Sequence, residues 1–263
     1  MLRYSAFLFK EFLESVVRVG RKLRASNYSR AALSPEATAL AKDGIYIRPN
    51  YFSRNVCEEL IAKIDSYIES GNNNVWVDDQ EADHRLYFIN EVDSQFQEIF
   101  DDPYFKAVLA EHTGTQSPKG MLLAAKLVYK AGNKGSGGGW HRDSPFQHQF
   151  KAICYLSDVQ EENGPFEFIE GSHRKRQVLV DCLKRFWKPG QYRFSNSEID
   201  DYIKRSGKKV VTVCSSAGSL VFADTKGIHR GRPMLDGIRY VLFCYYWHNQ
   251  IPEHFNKLRQ SRK

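Results

Sequence analysis

Apolar residues at Leu2, Phe9, Phe12, Leu13, Val16, Val17 and Leu23 recur near helical spacing, with Arg and Lys opposite, and predict an amphipathic helix over residues 2–25. Such a helix either half-buries its apolar face on a folded body or lies on an anionic membrane. A polar connector follows at 26–33. Ser34-Pro35-Glu36 then opens a short helix, with Ser as cap and Pro in the first turn. It ends at Asp43-Gly44, and Ile45-Tyr46-Ile47 reads as a strand. Ser53 caps another helix that runs to about Ser70, with Val56, Leu60, Ile64 and Ile68 on one face and Gly71 as its stop. Residues 75–90 read as a strand or hairpin with an acidic centre, and 95–113 as a helix ending at Gly114.

From residue 121 the texture changes. Short β-rich runs at 121–130, 138–142, 150–156, 165–170, 208–213, 219–223 and 238–247 are punctuated by turn residues. A helical insertion is predicted at about 181–206. Many short strands in one stretch point to a sandwich or jelly roll. The expected fold class is α+β: a jelly roll (double-stranded β-helix, cupin-like) over about 121–248, braced by N-terminal helices. The expected organisation is a basic amphipathic helix at 1–30 followed by one domain at 31–263.

Composition supports a folded chain. Hydrophobic residues fill 42% of 263 positions and aromatics 13%, enough for a sizeable core, and 14 Tyr with 17 Phe lean toward β-structure. Charge is unevenly placed. The net is +7, yet residues 1–30 carry Arg3, Lys10, Arg18, Arg21, Lys22, Arg24 and Arg30 against Glu11 and Glu14, a net of +5, which leaves +2 for residues 31–263. A nucleic-acid binder spreads a basic stripe over its folded body, so that partner is not expected. The terminal excess marks either a solvated helix face or a peripheral membrane contact. Cysteines at 57, 154, 182, 214 and 244 form no C-x-x-C pair and are odd in number, which argues against a disulfide framework or structural zinc and fits a reducing compartment. There is no apolar run of 18 residues, and the stretch from Tyr4 to Phe9 is too short for a secretory core. The expected location is cytoplasmic, with membrane association through the first helix as the one addition.

The chemistry concentrates in Gly137-Gly138-Gly139-Trp140-His141-Arg142-Asp143. His141 and Asp143 are two apart, so in a strand their side chains share a side and can converge on one metal. His229, in Thr225-Lys226-Gly227-Ile228-His229-Arg230-Gly231, is the best candidate for a third ligand. Two His and one carboxylate take one face of an octahedron and leave three positions open, whereas structural zinc closes its shell. An H-x-D pair alone is equally a strand-end histidine with a capping aspartate. Arg239 sharpens the case: it stands in an apolar strand ten residues after His229, and its planar fork suits a carboxylate held bidentately, unless an internal ion pair satisfies it.

Together His141-x-Asp143, Asn163-Gly164-Pro165, Gly171-Ser172-His173, His229 and Arg239 resemble the phytanoyl-CoA dioxygenase family of Fe(II)/2-oxoglutarate oxygenases, as does Leu40–Ile47 followed by a capped helix. The resemblance covers roughly 36–248. It implies that His141, Asp143 and His229 bind Fe(II), that Arg239 holds the distal carboxylate of 2-oxoglutarate, and that Lys126 borders this cosubstrate, with Tyr129 as a less favoured alternative. It implies an O2-dependent hydroxylation of a C–H in a small-molecule or lipid-like substrate, with release of succinate and CO2. Related halogenases replace the carboxylate ligand with a small residue; Asp143 is present, which favours hydroxylation. The Asn-Gly-Pro and Gly-Ser-His segments resemble jelly-roll turns, so His173 is read as mainly structural and Trp140 as a packing residue. Two positions depart from the pattern: Gly231 stands where many members carry a hydroxyl residue, and Ile153 where an aromatic is common. Arg142, Ser144, Gln147, His148, Arg230, Arg232 and Arg174-Lys175-Arg176 form a candidate basic rim for a phosphate, carboxylate or coenzyme A group, against the plainer reading of solvated surface. The basic first helix raises a lipid-linked substrate. The competing reading is a non-catalytic jelly-roll binding protein with a retained metal site. The sequence names neither the substrate nor an oligomeric state.

Overall fold

A computed structural model describes residues 2–24, 33–70, 75–143, 149–248 and 250–260. Local signals set the helical half. Helix α1 is Leu2–Arg24, and α2 is Pro35–Lys42, where the Ser34 hydroxyl accepts from the Ala37 amide at 3.1 Å. Strand β1 is Ile45–Arg48, and α3 is Arg54–Glu69, capped by Ser53 through the Val56 amide at 3.3 Å. Strands β2 (Val75–Val77) and β3 (Asp83–Tyr87) form the acidic-tipped hairpin. The helix predicted over 95–113 is two, α4 (Ser94–Phe100) and α5 (Pro103–Thr113). The break is chemical: Pro103 lacks an amide proton and its ring clashes with a preceding helical turn, so it starts α5, with Asp102 accepting from Tyr104 N at 2.8 Å.

The remaining strands are β4 (Lys119–Val128), β5 (Gln149–Tyr155), β6 (Phe166–Ile169), β7 (Val210–Val213), β8 (Leu220–Asp224), β9 (His229–Gly231) and β10 (Ile238–Trp247). They build two antiparallel sheets, β1-β8-β5-β10-β4-β3-β2 and β7-β6-β9, in the jelly-roll arrangement. Side chains alternate across the large sheet. Leu122, Ala124, Cys154, Phe222, Leu242 and Tyr246 face the helices and pack on Leu60 and Ile64 of α3, Phe96 of α4 and Phe105 of α5. Leu123, Ala125, Ile153, Tyr155, Val221 and Val241 face the other way and meet Phe166 and Phe168 of the small sheet. The large sheet is thus buried on both faces, and the layer between the sheets is where a ligand can be enclosed.

Two further expected elements differ. Residues 138–142 form no strand; His141 alone bridges to His229 and to Arg193. Gly137, Gly138 and Gly139 hold φ of +85°, +70° and +92°, which no extended ladder accepts. The helical insertion starts earlier than expected and is split into α6 (Lys175–Leu183) and α7 (Asn196–Ser206), with Pro189-Gly190 in the non-helical link. Trp187, Phe194, Ile199 and Tyr202 of this insertion pack with Trp140 and Ile228. Helix α1 docks on α6 through Phe7, against Val178 and Cys182, while Phe9, Phe12, Leu13, Val16 and Val17 are exposed. All five thiols are free. Among the described residues no helix is long and apolar enough to cross a membrane.

Candidate metal centre and cosubstrate pocket

His141 and His229 are brought together by the backbone itself. Each donates its amide to the other's carbonyl at 2.9 Å, so the two form one hydrogen-bonded antiparallel pair. Their rings lie on the same side, centroids 4.4 Å apart. In each, Nδ1 donates to the carbonyl two residues back: to Gly139 at 2.8 Å and to Gly227 at 2.9 Å. A carbonyl only accepts, so both protons sit on Nδ1 and both Nε2 lone pairs point outward, as a metal requires. Gly137 makes room for this, since a Cβ there would lie 2.5 Å from Cε1 of His141.

Asp143 completes the cluster. Its amide donates to Thr225 O at 3.1 Å, which ties it to the turn ahead of His229. Its Oδ1 lies 3.6 Å from Nε2 of His141 and 3.7 Å from Nε2 of His229, and one ligand atom from each of the three residues falls within 4.8 Å of the others. These separations are too long for hydrogen bonds and suit a shared ion in the middle. Nε2 of His229 is buried and has no hydrogen-bond partner. Burial, with His141 beside it, pushes the His229 imidazole down to about 3, so it stays neutral and ready to ligate. Burial works against charge on Asp143, yet the Lys151 ammonium beside it holds the carboxyl well below the usual range. Nζ of Lys151 stands 2.6 Å from Oδ2 of Asp143 and 4.3 Å from the ring centre of Tyr245. Lys151 is a site residue that the sequence reading missed; its signal was a charged residue inside the apolar run of β5.

The triad opens into a cavity of about 510 Å³ between the two sheets. Arg239 lines it, 2% exposed, with Nε and Nη1 buried and lacking a hydrogen-bond partner. Burial pushes its guanidinium below the ordinary value, against the pull of Tyr155 and Asp83. An internal carboxylate does not satisfy it: the nearby Asp83 takes Arg85 instead, with Nε at 3.0 Å and Nη2 at 2.5 Å. A buried Arg fork left open toward a cavity that a His-Asp-His cluster also lines fits a dicarboxylate such as 2-oxoglutarate.

Lys126 does not border this cavity. It occupies the helix-facing register of β4, where Nζ pairs with Asp65 of α3 at 2.7 Å and lies over the Tyr240 ring. Its neighbours Ala125 and Leu127 hold the inward positions. Tyr129 is exposed past the end of β4. The departure at Gly231 has a structural counterpart: a Cβ there would come within 2.9 Å of Cβ of Ser136, which fills that space, lines the cavity and whose hydroxyl accepts from Arg85 at 3.3 Å. Ile153 lines the same cavity.

The turn between β8 and β9 is clamped from three sides. His112 of α5 pairs with Asp224 at 2.9 Å, the Ser172 hydroxyl accepts from Ile228 N at 2.8 Å, and Glu14 of α1 pairs with Lys226 at 2.8 Å. The Gly-Ser-His motif therefore serves the metal turn through Ser172, while His173 is buried beneath Gly44. Of the basic rim, Arg230 pairs with Glu167, Arg232 with Glu161, and Lys175 with Glu14; Arg142 is buried and lines the cavity. Ser144, Gln147 and His148 lie outside the described residues.

A sequence model of phytanoyl-CoA dioxygenase matches residues 40–238. The chain belongs to the phytanoyl-CoA dioxygenase family. Solved structures share the fold of this family member at low identity. The epimerase SnoN from nogalamycin biosynthesis, in complex with Fe3+, alpha ketoglutarate and nogalamycin RO, is 18% identical, with 80% of this chain and 81% of that one covered at a TM-score of 0.59. The alpha ketoglutarate dependent carbocyclase SnoK is 16% identical over 89% and 92% of the two chains, at 0.60. HygX from Streptomyces hygroscopicus, with nickel, 2-oxoglutarate and hygromycin B bound, is 13% identical over 82% and 88%, at 0.57. No curated protein sequence matches the chain significantly.

Proposed function

We propose that this member of the phytanoyl-CoA dioxygenase family is an Fe(II)- and 2-oxoglutarate-dependent dioxygenase that hydroxylates an unactivated C–H of a small-molecule or lipid-like substrate. The observation that carries the proposal is the meeting, in one cavity, of three convergent ligand side chains with the open guanidinium fork of Arg239. His141, Asp143 and His229 would hold the iron, and Arg239 the distal carboxylate of 2-oxoglutarate. When bound, the iron and cosubstrate supply O2 activation, consuming 2-oxoglutarate to succinate and CO2.

The chain's own residues do the rest. Gly139 and Gly227 fix the two imidazole tautomers, and Lys151 takes one oxygen of Asp143, leaving the other for metal. Apolar walls from the buried Phe166 and Val241 and the partly buried Phe243 keep bulk water from the reacting face. Neighbours named as epimerase and carbocyclase support a second outcome of the same oxidative chemistry, in which the substrate is rearranged and gains no oxygen. The test is anaerobic titration with Fe(II) and 2-oxoglutarate, following the weak visible charge-transfer band of the chelate. The band is expected in the wild type and lost in His229→Ala. Its absence from wild type with iron demonstrably bound overturns the assignment. Once a substrate is found, a product heavier by one oxygen atom separates hydroxylation from rearrangement.

A further inference from the structure

Helix α1 is amphipathic in an inverted sense. At about 100° per residue, Phe9, Phe12, Leu13, Val16 and Val17 span an arc of about 140°, and Phe7 with Glu14 fall roughly opposite. The docked side is the one bearing Phe7 and Glu14: Phe7 sits against Val178 and Cys182 of α6, and Oε2 of Glu14 meets Nζ of Lys226 at 2.8 Å and of Lys175 at 3.0 Å. Lys175 also donates to the Ser15 hydroxyl at 3.0 Å. The apolar side faces solvent, with Phe9 62% and Phe12 63% exposed.

This orientation is locked. Lys226 is 2% exposed, and turning α1 to bury its phenylalanines would break the Glu14–Lys226 ion pair, a strongly destabilising change for a buried charge. A contiguous apolar arc held in solvent in this way marks a surface for something outside the fold. The charge says by what. Residues 1–30 carry a net of +5 on a body that is otherwise nearly neutral. Two copies joined through this arc would bring two such segments together and repel, whereas an anionic lipid surface neutralises one of them. The helix is too polar to span, so it would lie in the plane of the interface.

We propose that α1 attaches the enzyme to an anionic lipid surface through Phe9, Phe12, Leu13, Val16 and Val17. The ion pair Glu14–Lys226 places this attachment three residues from His229, so the bilayer is held by the same turn that shapes the metal centre. The proposal does not depend on which reaction that centre performs.

The test is vesicle flotation of the full-length protein with phosphatidylcholine alone and with phosphatidylcholine plus phosphatidylglycerol, alongside sedimentation velocity. Wild type is expected to float with the anionic vesicles only and to be released by raised salt. Phe9→Ser/Phe12→Ser should bind about tenfold more weakly or worse, with an unchanged melting temperature, since both side chains are already in solvent. Failure of wild type to float on anionic vesicles, or equal flotation of the double variant, overturns the proposal. So does a dimer that the double variant dissolves without any vesicle binding, because the arc then belongs to a second copy of the chain.

Discussion

His229 shows how a single residue is prepared for metal: its proton is committed to Gly227, its Nε2 is bare, and burial pushes its pKa down to about 3. An unfolded imidazole titrates at about 6.5, so between that value and about pH 3 the unfolded chain binds the extra proton. The stability contributed by neutral His229 is full above that unfolded value and falls as pH drops through the window. Metal-free protein melted at stepwise lower pH should lose stability below about 6.5, and His229→Gln should show a shallower slope; equal slopes would refute the assignment. At Arg239, Lys cannot reproduce the two-pronged grip, so Arg239→Lys should weaken 2-oxoglutarate by about 1.5–3 kcal/mol, roughly ten- to a hundredfold, in the same anaerobic titration. Unchanged affinity would remove Arg239 from the cosubstrate. Lys151→Met leaves the buried carboxylate of Asp143 without its ammonium. The metal-free melting temperature should fall, and Fe(II) should restore more of it than it adds to wild type, because the ion replaces the lost charge.

At the scale of elements, the metal turn between β8 and β9 depends on partners far away in sequence. Ser172→Ala leaves the Ile228 amide with no acceptor beside His229 and should cost about 1–3 kcal/mol by denaturant unfolding, with weaker iron binding. A variant as stable as wild type would mean that the turn holds itself. The helix starts at Ser34 and Ser53 were legible, because a hydroxyl cap and a proline act within one turn, whereas the start at Pro103 was not, since the pattern over 95–113 reads as one helix. The inward face of β4 was not legible. Met121 to Ala125 are all apolar because the strand is buried on both sides, so no alternation tells which parity faces the cavity, and Lys126 was placed on the wrong one. In the same way, the glycines at 137–139 replaced an expected strand with a looped approach, from which only His141 pairs.

At the scale of the molecule, helices α2 to α5 cover one face of the large sheet, the small sheet covers the other, and α1 ties back to the metal turn through Glu14. Burial opposes the charge on Glu14, but Lys226 and Lys175 hold its carboxyl below the usual range. Glu14→Gln should free α1, seen as faster limited proteolysis within residues 1–30 while the iron–cosubstrate band persists; unchanged cleavage would mean that Phe7 alone secures the helix. By itself, the sequence determined the order of most elements, the residue types able to ligate iron and the lone arginine in an apolar strand, because caps, periodicity and side-chain chemistry are local properties. Only the tertiary structure decided that His141 and His229 share one backbone pair, that Lys151 and not Lys126 enters the cavity, and that α1 turns its apolar side outward. Each of these depends on which surfaces the rest of the chain has already covered, and that is a property of the packed whole.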